Sequence, residues 1–370
     1  MHLASLHLLN FKNISELEIQ FSKGINGIVG KNGSGKTNIL DAVYYLSTCK
    51  SYLNTIDRQN IQFDQTFFSI NGDWQVDEKL NNVHCAFKQG AKKVFKFNKK
   101  EYEKLGEHIG KFPVVFISPY DGDLIAEGSE LRRKWMDGIL SQIDKDYLEQ
   151  IQRYAKILEQ RNALLKNMYE HRLFDKDSID VWDYQLALTG TQIFQKRKEF
   201  INEFIPVFNR FYAEIGLETE NVNLEYRSHL NEGDFLTQLK NAEKKDAFAQ
   251  YTTVGIHKDD LLFTIKGHPV KKFGSQGQQK SFLISLRIAQ YDWLKQHKGT
   301  NPVLLLDDIF DKLDNQRVAK LIELVTTDYF GQVLVTDTDP ERMKNLFDGL
   351  TIEKKLFEIT DGSITSVYLK

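Results

Sequence analysis

Gly30-Lys31-Asn32-Gly33-Ser34-Gly35-Lys36-Thr37 satisfies the pattern G-x-x-x-x-G-K-[S/T], and its surroundings supply the context that pattern needs. Upstream, Ile25 to Val29 is a short apolar run with strand character. Downstream, Ile39, Leu40, Val43 and Leu46 recur at helical spacing. A glycine-rich turn between a strand and a helix N-terminus lets successive backbone N–H groups wrap a phosphate. Lys36 is expected to set its cation against the β- and γ-phosphates, and the Thr37 hydroxyl to ligate magnesium. Gly30, Lys31, Asn32, Gly33, Ser34, Gly35 and Asn38 complete the expected cradle for ATP.

A phosphate loop of this kind needs a second anchor for magnesium and, for hydrolysis, a base. Val303-Leu304-Leu305-Leu306-Asp307-Asp308 offers both: an uninterrupted apolar strand, Asp307 at its carboxyl end to hold the metal, and Asp308 as the expected general base. A third element narrows the class. Phe273-Gly274-Ser275-Gln276-Gly277-Gln278-Gln279 precedes a predicted helix over about Gly277 to Gln296. A serine hydroxyl and glycine N–H groups at a helix start make an anion site, although such a cluster alone also serves as an ordinary helix cap. In the order phosphate loop, serine-glycine-glutamine segment, acidic strand, it resembles the signature of ABC-type ATPases. There the segment closes on the γ-phosphate held by a second subunit. Ser275, Gln276, Gly277 and Gln278 are therefore expected at the nucleotide in trans. Ile309-Phe310-Asp311-Lys312-Leu313-Asp314 then resembles the D-loop, with Asp314 facing the dimer partner.

The rest of the chain reads as a head interrupted by an arm. Leu17, Ile19 and Phe21 alternate with Glu16, Glu18 and Gln20, the period of a half-buried strand. From Phe67 to Phe97 strands recur, with Asn71-Gly72, Asn81-Asn82 and Gln89-Gly90 suiting hairpin turns; Val114 to Ile117 is a further buried strand. From Ser129 to about Tyr169, and again from about Ile179 to Ile215, apolar residues recur at helical spacing, the second region broken at Pro206. Strands resume at Leu224–Tyr226, Leu261–Ile265 and Val333–Val335. The fold class expected is α/β: a P-loop ABC-type ATPase head, with a mixed sheet and a β-rich lobe, over 1–120 and 216–370, carrying an inserted helical arm over 121–215.

Composition sets limits. A formal net charge of −2 gives no general attraction to nucleic acid, so any DNA contact must be local or assembled from two subunits. Lys92, Lys93 and Lys96, then Lys99 and Lys100, and Lys196-Arg197-Lys198 are the candidate patches; each is also readable as a solvated face. No export signal and no apolar run long enough for a membrane span is visible, and Cys49 and Cys85 are in no metal-ligand spacing, which fits the cytoplasm.

Several further segments resemble the RecF family of bacterial recombination mediators over nearly the whole chain. They are Leu8-Leu9-Asn10-Phe11-Lys12-Asn13, Ile117-Ser118-Pro119-Tyr120-Asp121, Gly128-Ser129-Glu130-Leu131-Arg132-Arg133-Lys134-Trp135-Met136-Asp137, Gly255-Ile256-His257-Lys258-Asp259-Asp260 and the signature continuing to Lys280. The resemblance implies a homodimer that forms with ATP, DNA binding near single-strand/double-strand junctions and in gaps, cooperation with RecO and RecR, and slow ATP hydrolysis. The sequence departs from the family pattern at Lys12 and Lys258, where arginine is more usual, and at Ile256, where proline is. Thr336-Asp337-Thr338 carries no switch histidine of the transporter kind, which disfavours a transporter subunit. A nucleotide-gated scaffold of another chromosome-associated system is the alternative. For Arg132 and Arg133 a solvated helix face or a pair with Asp137 is at least as good a reading as DNA contact, and His257 reads as a structural histidine rather than a catalytic one.

Overall fold

A computed structural model of the chain describes residues 1–173, 175–216, 220–309, 320, 323–324, 329–348 and 352–369. The chain divides into two compact units, one of Met1–Gly122, Phe211–Glu218 and Lys280–Lys370, the other of Asp123–Arg210 and Thr219–Gln279. This differs from the division expected above, because residues 219–279 group with the helices rather than with the head. Buried ion pairs account for it. Arg132 bonds Asp260, Arg197 bonds Asp259, and Arg161 bonds Asp246, so the segment after the long helices supplies the carboxylates their guanidiniums require.

The first unit holds two six-stranded sheets. One runs in the order Ser363–Leu369, Lys354–Thr360, Ile25–Val29, Val333–Asp337, Val303–Leu306, Val114–Ile117, parallel apart from the first strand. Its three central strands, Ile25–Val29, Val333–Asp337 and Val303–Leu306, are buried at every position and mostly apolar, as a sheet covered on both faces requires. The other sheet is antiparallel, in the order Ile14–Gln20, His2–Phe11, Phe67–Val76, Lys79–Lys88, Val94–Phe97, Lys100–Glu101. The helix Lys36–Thr48 lays Ile39, Leu40, Val43 and Leu46 into the core.

Two expected turns are absent from this second sheet. Phe67–Val76 runs unbroken through Asn71-Gly72, and Lys79–Lys88 through Asn81-Asn82; the reversal falls at Asp77-Glu78, with Asp77 at φ 51. Gly72 serves close packing instead. A Cβ there would lie 2.5 Å from Leu46 Cδ1, so glycine lets the helix sit down on the strand.

The second unit has the helices Ser129–Ile143, Lys145–His171 and Phe235–Ala249, most of the long helix Lys176–Gly216, and a three-stranded sheet of Val222–Arg227, Asp260–Ile265 and His268–Pro269. The first predicted helical region is two helices, parted at Asp144, whose carboxylate accepts from the Tyr147 N–H at 2.9 Å and caps the second. Pro206 does not break Lys176–Gly216. It lies on the exposed side, so the Asn202 carbonyl it deprives of a partner faces water, while Phe204 and Phe208 on either side are fully buried. The helix Phe235–Ala249, unforeseen above, is capped by Asp234. Among the described residues no helix is long and apolar enough to cross a membrane.

The strand bearing the phosphate loop is held from both sides. At its start a Cβ on Gly24 would lie 2.1 Å from the Glu353 carbonyl oxygen, a backbone atom that cannot swing away. Gly24→Ala is expected to lower stability by about 1–3 kcal/mol, read as a drop in the denaturation midpoint.

Candidate nucleotide-binding site

Ile25–Val29 ends beside Val333–Asp337, and Val303–Leu306 is the next strand along, so the phosphate loop and the acidic pair meet at the carboxyl edge of one parallel sheet, where such sheets bind ligands. The loop is built by close backbone approach. A Cβ on Gly30 would lie 2.3 Å from the Ile359 carbonyl oxygen, and Gly33 and Gly35 hold φ of 82 and 108. Gly30 N–H donates to the Asp337 carbonyl at 3.3 Å and Gly362 N–H to the Ser34 carbonyl at 2.9 Å. Asn13 completes the brace: its Nδ2 donates to the Gly33 carbonyl at 2.8 Å, and its Oδ1 accepts from Asn38 Nδ2 at 2.7 Å. Asn38, expected at the nucleotide, thus bonds to Asn13. Lys31 and Asn32 are exposed on the loop's outer turn.

Lys36 is nearly buried, and its ammonium donates to the Gly30 and Lys31 carbonyls at 2.9 and 3.2 Å. A cation is thereby stored inside the loop. The Ser34 hydroxyl is buried with no hydrogen-bond partner among the described residues, an orphan that a phosphate oxygen would satisfy.

The two expected magnesium ligands touch. Thr37 Oγ1 donates to Asp307 Oδ1 at 2.8 Å, and Thr336 Oγ1 donates to the same oxygen at 2.9 Å. Thr336 in turn accepts from the Asp308 backbone N–H at 3.0 Å, fixing the turn where Asp308 adopts φ 42. Burial, reinforced by the adjacent Asp308 charge, raises the Asp307 carboxyl above the usual carboxylate range despite both hydroxyl donors. A hydroxyl and a carboxylate oxygen at this spacing suit a hard divalent cation, which would supply charge neutralisation and orientation for a triphosphate. Asp308 follows at the same edge.

Ser275 lies at the exposed start of the helix Gln276–Lys298. Its N–H donates to Gln278 Oε1 at 2.7 Å and its Oγ accepts from the Gln278 N–H at 3.2 Å, a reciprocal capping box. Gln278 Nε2 also reaches Glu220 at 2.7 Å. Because the serine oxygen accepts from its own helix, its O–H proton points elsewhere as a donor. Gln276 and Gly277 occupy the first turn, whose N–H groups have no intrahelical acceptor. Asp314 of the D-loop lies outside the described residues.

The motifs that led toward the arm are structural. Arg132 forms a bidentate pair with Asp260 at 2.7 and 3.1 Å, and Arg133 bonds Ser129 Oγ and the Asp259 carbonyl, both at 2.6 Å, rather than Asp137. His257 Nε2 donates to the Thr252 carbonyl at 3.0 Å and Nδ1 accepts from Tyr154 at 2.9 Å, a neutral ring. Arg197, read above as part of a surface patch, is almost wholly buried on Asp137, Asp259 and the Ile256 carbonyl. Lys93 is likewise engaged, with Asp57 at 2.9 Å and the Cys49 carbonyl at 2.8 Å. Lys92, Lys99 and Lys100 remain exposed. Asn13 and Thr336, quoted above only within longer segments and given no role there, act across strands, and no local spacing marks those contacts.

A phosphate loop and an acidic strand meeting at the edge of one parallel sheet define a P-loop nucleotide-binding head. A family model described as RecF/RecN/SMC N terminal domain matches residues 2–355. The chain is 50% identical over 359 residues to the DNA replication and repair protein RecF of Flavobacterium johnsoniae, covering 97% of this chain and 100% of that one. Against the RecF of Phocaeicola vulgatus the identity is 47%, covering 99% and 98%. Among solved structures, the recombination mediator protein RecF with ATP, of the RecFOR pathway, matches at a TM-score of 0.89 and 28% identity, covering 100% of this chain and 97% of that one. An SMC head bound to a ScpA domain shares the fold, at a TM-score of 0.58 and 15% identity. The chain belongs to the RecF family.

Two consequences concern pH. His257, and His108 in the other unit, are held down to about 4 by burial. The unfolded chain therefore binds protons that the folded one refuses, so stability is full above about pH 6.5 and falls on the order of 1 kcal/mol per pH unit per histidine toward pH 4. Denaturant titrations should show this slope, reduced in His257→Gln. Asp307 acts oppositely: its raised carboxyl means the ionised form costs stability at neutral pH. Asp307→Asn is expected to leave the unfolding midpoint of the nucleotide-free protein at pH 7.5 unchanged or higher.

Proposed function

We propose that this chain is a DNA replication and repair protein that works as an ATP-gated homodimer on gapped DNA, with RecO and RecR as its partners. The observation that carries the reading is the convergence of Thr37, Asp307 and Thr336 beside a Lys36 held inside the loop, in a chain matching RecF relatives along nearly its entire length. Gly30 to Asn38 bind the triphosphate, with Lys36 leaving the loop carbonyls for the β- and γ-phosphates. Thr37 and Asp307 hold Mg²⁺, which supplies charge neutralisation at the phosphates. Asp308 is the general base for a slow hydrolysis, its carboxylate shorter than a glutamate would be and correspondingly less able to reach water. Ser275, with the Gln276, Gly277 and Gln278 turn behind it, donates to the γ-phosphate held by a second copy. The protein acts in the cytoplasm.

DNA contact follows from the dimer. A single copy with net charge −2 offers phosphates little, whereas two heads joined by ATP bring Lys92, Lys99 and Lys100 of both copies to one duplex. Sedimentation is expected to show a dimer with Mg²⁺–ATP and a monomer without it. Ser275→Arg should bind ATP normally yet remain monomeric, and a Ser275→Arg dimer would refute the trans site. Gel-shift titration should show DNA affinity that appears with ATP and falls steeply with salt; equal affinity with and without nucleotide would refute the clamp.

A further inference from the structure

Within the helical unit, apart from the residues assigned to the nucleotide site, three carboxylates gather without enough positive charge to balance them. Asp180 and Asp183 stand three apart on the helix Lys176–Gly216, so both point from one face; Glu243 comes from the helix Phe235–Ala249. One ligand atom from each lies within 4.8 Å of the other two. Asp183 is fully buried, and its Oδ1 accepts from Arg161 Nε at 2.6 Å. Among the described residues its Oδ2 has no partner, and the buried Oδ1 of Asp180 has none either. Neither Asp180 nor Glu243 has an ion-pair partner among the described residues. Arg161 cannot make up the deficit, since its Nη1 is taken by Asp246 at 2.7 Å and by Thr252 at 2.9 Å, and its Nη2 reaches neither free oxygen.

We propose that Asp180, Asp183 and Glu243 form a binding site for a hard divalent cation of the magnesium, manganese or calcium kind. Carboxylate oxygens this close repel, and an orphaned buried oxygen loses the full hydration it had in the unfolded chain. A cation bridging the three supplies both missing charge and missing contacts. The donor set is oxygen alone, with no histidine or cysteine, which selects hard ions over zinc. Burial and the charges of Glu243 and Asp180 push Asp183 above the usual carboxylate range, the electrostatic tension the ion relieves. A single proton shared by two of the carboxylates would join two oxygens and remove one negative charge, but it would leave the third carboxylate without a counter-charge. The cation pins the helix Phe235–Ala249 to the start of the longest helix, beside the Arg161 pairs that already join them.

The test uses the full-length protein carrying Asp307→Asn, which removes the metal ligand at the nucleotide site, stripped with chelator and free of nucleotide. Loss of the free Mn²⁺ electron paramagnetic resonance signal is expected to report one bound ion, displaced by excess Mg²⁺ or Ca²⁺. Adding Asp180→Asn and Glu243→Gln should abolish that binding and the rise in unfolding midpoint that Mn²⁺ gives. Should that variant fail to fold, Glu243→Gln alone, at a half-buried position, is expected to weaken Mn²⁺ by at least about tenfold. No Mn²⁺ uptake by the Asp307→Asn protein, or unchanged affinity in Glu243→Gln, overturns the proposal; proton uptake on folding in place of Mn²⁺ would assign the cluster to a shared proton.

Discussion

The hydrogen bond from Thr37 to Asp307 joins the two halves of the phosphate site, and the strand between them makes it possible. Val333–Asp337 lies between the loop strand and the acidic strand, and Thr336 on that middle strand bonds both Asp307 and the Asp308 backbone, which fixes the acidic turn where Thr37 can reach it. Burial costs the carboxylate its hydration, and the two hydroxyl donors offset that cost only in part, since the group stays above the usual carboxylate range. Storing Lys36 within the loop follows the same logic, since its charge rests on carbonyl dipoles that compete poorly with a triphosphate.

The helical unit solves a different problem with related means. Its core encloses Arg161 and Arg197, each forked between carboxylates from separate elements. Such pairs add little net stability over a well-packed apolar core, but removing one member strands the others, so they specify which elements belong together. That is why a segment distant in sequence joins the helices here.

What the chain discloses about itself divides along a physical line. The loop, the acidic strand and the serine-bearing helix start were legible because each is a local pattern whose chemistry lies in neighbouring residues. The buried strands were legible because parallel strands covered on both faces must be uninterrupted apolar runs. Gly72 misled, since a glycine that admits a helix looks the same as one that turns a hairpin until its neighbours are known. Arg197 misled for the converse reason: three successive basic residues read as surface, yet the middle one turns inward while Lys196 meets Asp144 outside. The helix Phe235–Ala249 was hidden because Asp246 occupies a core-facing position after Phe235, Leu239 and Ala242. Asn13 and Thr336 could be found only once the sheet order was known.

The brace formed by Asn13 has a thermodynamic meaning. With the Gly33 carbonyl drawn to one side by an amide, and the loop's other contacts fixed on Asp337 and Gly362, the backbone is already in the shape a ligand requires. Docking of a phosphate then forfeits little conformational entropy, so more of the free energy of phosphate contact survives as affinity.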